Sequence, residues 1–216
     1  MEMKYEWRKA DKKYYLPKNK PEIARIPPMK FFMLDGRGNP NGEAFSEAVG
    51  VLYSLAYAVK MMPKSGETPE GYFDYTVFPL EGIWDLDASE GNREKLDKDK
   101  LIYTIMIRQP DFVTAELANK VIEQVKKKKY NPLLEKARFG EISEGTCVQM
   151  MHIGSYDSEP GSFMEMNRFC EENGLVRTEM RHREIYISDV RKTEPSKLKT
   201  VLRIKVREKQ QKEGMD

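Results

Sequence analysis

Two amphipathic helical segments, each preceded by one strand-like run and followed by two more, constrain this chain more than any other feature. In the first half, residues 29–34 (MKFFML) form an apolar run of strand length, stopped by the turn formers Asp35-Gly36-Arg37-Gly38-Asn39-Pro40. Asn41 is placed to cap a helix in which Phe45, Ala48, Val49, Leu52, Ala56 and Val59 recur at spacings of three and four, up to Met62-Pro63. Residues 71–80 (GYFDYTVFPL) and 101–108 (LIYTIMIR) are rich in aromatic and β-branched side chains and predict two strands. In the second half the same order returns. Residues 146–153 (TCVQMMHI) predict a strand, and Ser158 opens a helix carrying Phe163, Met166, Phe169 and Cys170 on one side. Asn173-Gly174 closes that helix, and strands follow at residues 182–188 (HREIYIS) and 199–206 (KTVLRIKV).

Two strand-helix-strand-strand repeats without residue-level identity predict an α+β fold. Their edge strands can pair into one antiparallel or mixed sheet, with helices on one face and a ligand cleft on the other. The expected organisation is an N-terminal extension at residues 1–28, packed on the body through Trp7, Tyr14 and Tyr15. The body covers residues 29–206: a first repeat (29–110), a linker helix at 114–129 capped by Thr114, and a second repeat (146–206). A charged tail at 207–216 completes the chain.

Composition removes several functions. With 216 residues, 39% of them hydrophobic, the chain can bury a core and is not a disordered or fibrous sequence. Lys plus Arg number 37 against 35 Asp plus Glu, so the net charge of +2 offers no bulk attraction for a nucleic-acid backbone, and no direct nucleic-acid binding is expected. The run Lys126 to Lys129 reads as a solvated helix end complementing the helix dipole. Cys147 and Cys170 are too few for a disulfide framework and, beside only His152 and His182, lack zinc spacing; no metal and no cofactor is expected. Neither a phosphate-binding G-x-x-x-x-G-K-[S/T] loop nor a G-x-S-x-G elbow is present, and Gly36-Arg37-Gly38 lacks the third glycine of a dinucleotide loop. Without an apolar leader segment or a window of roughly 18 apolar residues, the chain is expected in the cytoplasm and off the membrane.

Strand alternation singles out residues 182–188. His182, Glu184 and Tyr186 share one face, Arg183, Ile185 and Ile187 the other. The isoleucines suit a helix-covered core, so the polar trio is expected on the open side, placing a carboxylate among rings. Tyr103, Tyr75, Phe78 and Trp84 on neighbouring strands, with His152 near the end of another, can line the same apolar hollow. Tyr53 and Glu81 complete the candidate set. The methionines, 13 in all, read first as core filler.

Five segments then carry a resemblance: residues 31–42 (FFMLDGRGNPNG), 75–84 (YTVFPLEGIW), 103–114 (YTIMIRQPDFVT), 152–169 (HIGSYDSEPGSFMEMNRF) and 182–206 (HREIYISDVRKTEPSKLKTVLRIKV). Together they resemble the GyrI-like small-molecule-binding domain, related to the effector-binding domains of multidrug-responsive regulators. The resemblance implies a pseudo-twofold pair of repeats enclosing a cleft, with Glu184 as the buried glutamate that meets cationic or aromatic drugs. It also implies kinship with hydrolases of cyclopropane-bearing alkylators. In that reading Glu184 orients or deprotonates a water, Trp84, Tyr103 and Tyr186 stack on the planar drug, and Tyr186 or a neighbouring donor stabilises the phenolate formed on ring opening. The expected function is therefore binding of hydrophobic aromatic small molecules, with hydrolysis of strained electrophilic ones, by a monomer or weak dimer. The alternatives are a non-catalytic sensor or sequestering protein and, behind it, an interaction module acting on a topoisomerase.

Overall fold

The computed structural model describes residues 4–86 and 97–209; residues 210–216 of the expected charged tail lie outside the described residues. In chain order the elements are α1 (Trp7–Ala10), α2 (Lys12–Tyr15), β1 (Glu22–Ile26), β2 (Met29–Arg37), α3 (Glu43–Met61), β3 (Leu80–Leu86) and β4 (Leu101–Gln109). There follow α4 (Ala115–Lys128), β5 (Arg138–Ile142), β6 (Gly145–Ile153), α5 (Glu159–Glu172), β7 (Leu175–Arg177), β8 (His182–Tyr186) and β9 (Lys199–Glu208). Helices and antiparallel strands are thus mixed as the α+β class requires. The chain divides into two compact units, one holding the residues up to Lys12 together with Pro28–Ser143, the other Lys13–Pro27 together with Glu144 onward.

In the first unit the strands lie in the order β3-β4-β2-β5, every pairing antiparallel. Phe31, Phe32, Met33 and Leu34 in β2 are all buried, which is the pattern of a strand covered on both faces rather than one. One cover is α3, whose buried Ala48, Val51, Leu52, Leu55, Ala56 and Val59 lie against β2 and β4. Its N-cap is Gly42, one residue later than expected, because the Asn39 side chain accepts from the Asn41 N–H and turns the chain there. Thr114 does cap α4, its hydroxyl accepting from the Leu117 N–H at 3.2 Å, and Lys126 at the far end pairs with Glu123 and Glu135.

The strand expected over residues 71–80 does not form. Pro79 withholds a ladder donor, and the stretch makes a single parallel bridge, Tyr75 to Tyr5, through Tyr5 N–H to Asp74 O (2.7 Å) and Thr76 N–H to Tyr5 O (2.9 Å). Its aromatic richness reflects ring packing, with Tyr5, Phe73, Tyr75, Phe78 and Phe112 in one cluster. The strand that pairs with β4 begins only at Leu80.

The second unit orders its strands β1-β6-β9-β8, again antiparallel, with β7 paired to the distal end of β9. Val148 and Met150 of β6 and Leu202, Ile204 and Val206 of β9 meet Met166 and Cys170 of α5 in one core, with Phe163 and Phe169 packed at its side. Gly174 takes a left-handed φ of +65° as the helix ends, as its sequence position requires. Strand β1 falls within the stretch read as an N-terminal extension, and β5 between the expected linker helix and second repeat; both are five-residue edge strands whose burial pattern is mainly half-exposed.

Candidate functional site

Strand β8 carries the site in the second unit. Glu184 pairs in register with Leu202, and Tyr186 with Thr200, which itself faces His152 of β6. Leu202 belongs to the core under α5, so Glu184 and its i±2 neighbours point to the helix-covered side. The trio therefore shares one face, as alternation requires, but that face is turned toward α5 and not away from it. Ile185, with Val201 and Met151, occupies the reverse side. The sequence reading assigned the helix to the isoleucines because it weighed apolarity alone; the polar trio is instead roofed by rings.

The roof runs antiparallel to the strand. Tyr156, in the turn before α5, sets its ring edge-on to Tyr186 at 6.0 Å, and Phe163 sets its ring edge-on to His182 at 4.7 Å. Between these two contacts along the helix stands Glu159, and between them along the strand stands Glu184. Spacings of three and four on the helix thus match spacings of two on the strand, and one carboxyl is brought over the other. Both are nearly sealed, Glu159 at 7% and Glu184 at 8% exposure.

Each oxygen of Glu184 has its own partner. The Tyr186 hydroxyl donates to Oε2 at 2.8 Å, and His182 Nε2 lies 3.0 Å from Oε1. Facing an acceptor-only carboxylate, that His182 nitrogen is assigned the hydrogen. Burial, then the charge of Glu184, then a hydrogen bond with Glu184 push the Glu159 carboxyl up to about 9. Desolvation and the same Glu184 charge raise the Tyr186 and Tyr156 hydroxyls as well, so both remain protonated donors at neutral pH. The result is a carboxylate supplied with hydrogen-bond donors and bordered by Tyr156, Phe163, His182 and Tyr186.

The other candidates divide. His152 sits in β6 with Nδ1 2.9 Å from the Ser162 hydroxyl and Nε2 near Ser155 O (3.0 Å) and the Ser158 hydroxyl (3.1 Å); it ties the turn before α5 to the sheet. In the first unit, Trp84 and Tyr103 do come together as register partners, and with Phe45 of α3 they form a ring cluster at centroid distances of 5.1 to 5.9 Å. Tyr75 and Phe78 are not part of it. They lie in the other ring cluster, where Arg108 is stacked over Phe78 at 4.6 Å, and Arg108 is offset by one residue from the Ile107 that shares the face of Tyr103. Glu81 is buried at 1%, but it precedes Gly82, so it points away from the Trp84 face. Tyr53 is half-buried on α3, tilted against Tyr57.

Sequence reasoning passed over Glu159 and Tyr156. An acidic residue beside Pro160 in a first helical turn reads as a helix-dipole partner, and nothing local reveals the carboxyl beneath it. Among the described residues no cluster of three or more His, Cys, Asp or Glu can hold a metal, and no helix is long and apolar enough to cross a membrane.

Comparison with known proteins gives three crystal structures from Listeria innocua. One, described as a hydrolase, is 41% identical, covers 94% of this chain and all of its own, and superposes with a TM-score of 0.84. A second, described as an uncharacterized conserved protein, is 42% identical over 94% of this chain and all of its own, with a TM-score of 0.86. The C-terminal domain of EcmrR shares the fold alone, at 15% identity over 88% of this chain and 98% of its own, with a TM-score of 0.51. No curated protein matches the sequence. The GyrI-like small molecule binding domain matches residues 19–207, nearly the whole chain, and the buried Glu184 beneath its roof of rings thus lies in a protein that belongs to the GyrI-like family.

Proposed function

We propose that this protein binds flat, hydrophobic aromatic molecules beside Glu184 and hydrolyses those that carry a strained electrophilic cyclopropane. The observation that carries the reading is the Glu184 carboxylate itself, 8% exposed, held by Tyr186 and His182 and bordered by rings. The Listeria innocua protein that is 41% identical, covered over its whole length and described as a hydrolase supports turnover over binding alone.

The chemistry follows from the donor set. In a cyclopropane fused to a conjugated dienone, a water oxygen attacks the ring methylene and the new C–O bond forms as the ring C–C bond breaks. The released electron pair passes through the conjugated system to the carbonyl oxygen, which becomes a phenolate and takes a proton from solvent. Glu184 accepts the proton lost by water, a general-base contribution of roughly 10²- to 10⁴-fold. Tyr186 already gives its hydrogen to Glu184, so its role is to hold the base in place, not to stabilise the phenolate.

The test is turnover with sub-stoichiometric protein and a cyclopropane-bearing alkylator, product being followed by chromatography. Product well beyond one equivalent, lost in Glu184→Gln, is expected. Product that stops at one equivalent makes the protein a sink, and full turnover in Glu184→Gln removes the carboxylate from the mechanism.

A further inference from the structure

We infer that Glu159 and Glu184 hold a single proton between them, with Glu159 as the positioning residue that aims Glu184. Glu159 lies opposite Glu184 in the helix-over-strand ladder set by the Tyr156–Tyr186 and Phe163–His182 contacts. Its Oε1 is buried without a hydrogen-bond partner, an arrangement that an ionised carboxylate would occupy only at the expense of its hydration. Glu184, by contrast, has a donor at each oxygen.

Two ionised carboxylates cannot bond to each other, since both only accept. One proton resolves the conflict, and it belongs on Glu159, whose Oε1 has no hydrogen-bond partner, whereas each Glu184 oxygen has a donor. The pair then carries one negative charge, located on the residue that Tyr186 and His182 already stabilise. The titratable groups that face the pair are Tyr156 and Asp157 from the turn before α5, and His182 and Tyr186 from β8. Both tyrosines titrate above the range in which Glu159 gives up its proton.

This positioning role rests on the hydrolase reading for its consequences, but the shared proton does not, and the experiment separates them. Infrared difference spectra of the full chain, titrated from about pH 5 to about pH 10, report carboxylic-acid carbonyls that persist above the ordinary carboxyl range. The wild type should keep one such band through neutrality and lose it near 9, and Glu159→Gln should lack it. A wild type with no band at neutral pH, or a band unchanged in Glu159→Gln, overturns the inference. In turnover, Glu159→Gln retains a neutral hydrogen-bond donor, so it should recover much of what Glu159→Ala loses and should lack the alkaline decline expected of the wild type. Glu159→Ala should fall roughly a hundredfold, the effect of a misplaced catalytic group. Equal losses in Glu159→Gln and Glu159→Ala with the wild-type pH profile retained would also overturn it. A shared proton in a protein without turnover defeats the hydrolase reading and leaves this one standing; turnover without the band does the reverse.

Discussion

Arg183 and Glu184 are consecutive on β8 and lie in opposite layers of the second unit. Glu184 stands under α5, whereas Arg183, 2% exposed, points through the reverse face to within 3.0 Å of Glu144. Glu144 also accepts from Arg203 at 2.9 Å, and Arg203 in turn donates to the Gln149 side chain and to Tyr14 O. Gln149 donates to Lys13 O, so the segment from Lys13 onward covers this polar layer. The strand that presents the acidic site is anchored from behind by a buried ion network.

That network makes Glu144 a stability determinant without a place in the chemistry. Burial alone would raise its carboxyl, but the two guanidinium groups outweigh burial and hold it below its ordinary 4.5. A carboxyl with a depressed folded pKa contributes stability that is present above its unfolded pKa and is lost as pH falls through the folded one. Glu144→Gln should therefore cost about 3–5 kcal/mol near neutral pH, because it leaves two buried arginines short of a counter-charge. The difference from wild type should shrink below about pH 4.5. Urea unfolding at pH 7 and under acid conditions checks both; a loss under about 1 kcal/mol at pH 7 would mean that the network relaxes around the missing charge.

Glu159 carries the opposite sign. Its folded pKa is raised to about 9 from 4.5, so the folded state binds the extra proton across that interval. Stability attributable to this group therefore falls as pH climbs from 4.5 and levels off above about 9. Glu159→Gln cannot ionise, and should be more stable than the wild type at neutral pH, with the gap widening toward pH 9. Thermal unfolding across this range decides it, and a variant that tracks the wild type at every pH would show that the carboxyl reaches solvent.

The strands and helices that hold the core were legible because their apolar spacing is dictated by burial. Val148, Met150, Leu202 and Ile204 alternate, and Met166 and Cys170 are one helical turn apart. What misled was aromatic content without backbone pairing. Residues 71–80 look like a strand, yet Tyr75 and Phe78 are held by rings and by Arg108, a packing that leaves no periodic trace. The edge strands β1 and β5 went unread because each is short and half-exposed. Parity correctly united His182, Glu184 and Tyr186, but it assigns faces only relative to one another; which face meets the helix depends on Phe163 and Tyr156, contacts that lie beyond the reach of local spacing.

Glycine explains how the ring cluster of the first unit lies flat on its sheet. A Cβ at Gly82 would stand 2.6 Å from Trp84 Nε1, and one at Gly36 would stand 2.3 Å from the Tyr103 ring. Both rings are nearly buried and cannot swing clear without leaving the cluster. Gly82→Ala should thus destabilise by about 1–3 kcal/mol through overpacking. It should also shift Trp84 emission to the red, read in a Trp7→Phe background where Trp84 is the remaining tryptophan. Unaltered emission would mean that the indole has room the structure does not give it.

Tyr186 and His152 provide the contrast that separates the site from its scaffold, since both lie on the α5 face of the sheet and flank Thr200 in register. Tyr186→Phe removes one donor from a buried carboxylate. A hydrogen bond to a charged group contributes about 1.5–3 kcal/mol, so turnover, or affinity for an aromatic ligand, should fall roughly ten- to a hundredfold with modest change in stability. His152 spends both ring nitrogens on Ser155, Ser158 and Ser162. His152→Ala should loosen the turn ahead of α5 and lower stability by about 1–3 kcal/mol. At saturating ligand and a temperature well below unfolding, it should lower turnover less than Tyr186→Phe does, because its ring nitrogens bond to Ser155, Ser158 and Ser162 and not to Glu184. The reverse ranking, with His152→Ala the more damaging to turnover in folded protein, would transfer the proton chemistry from β8 to β6.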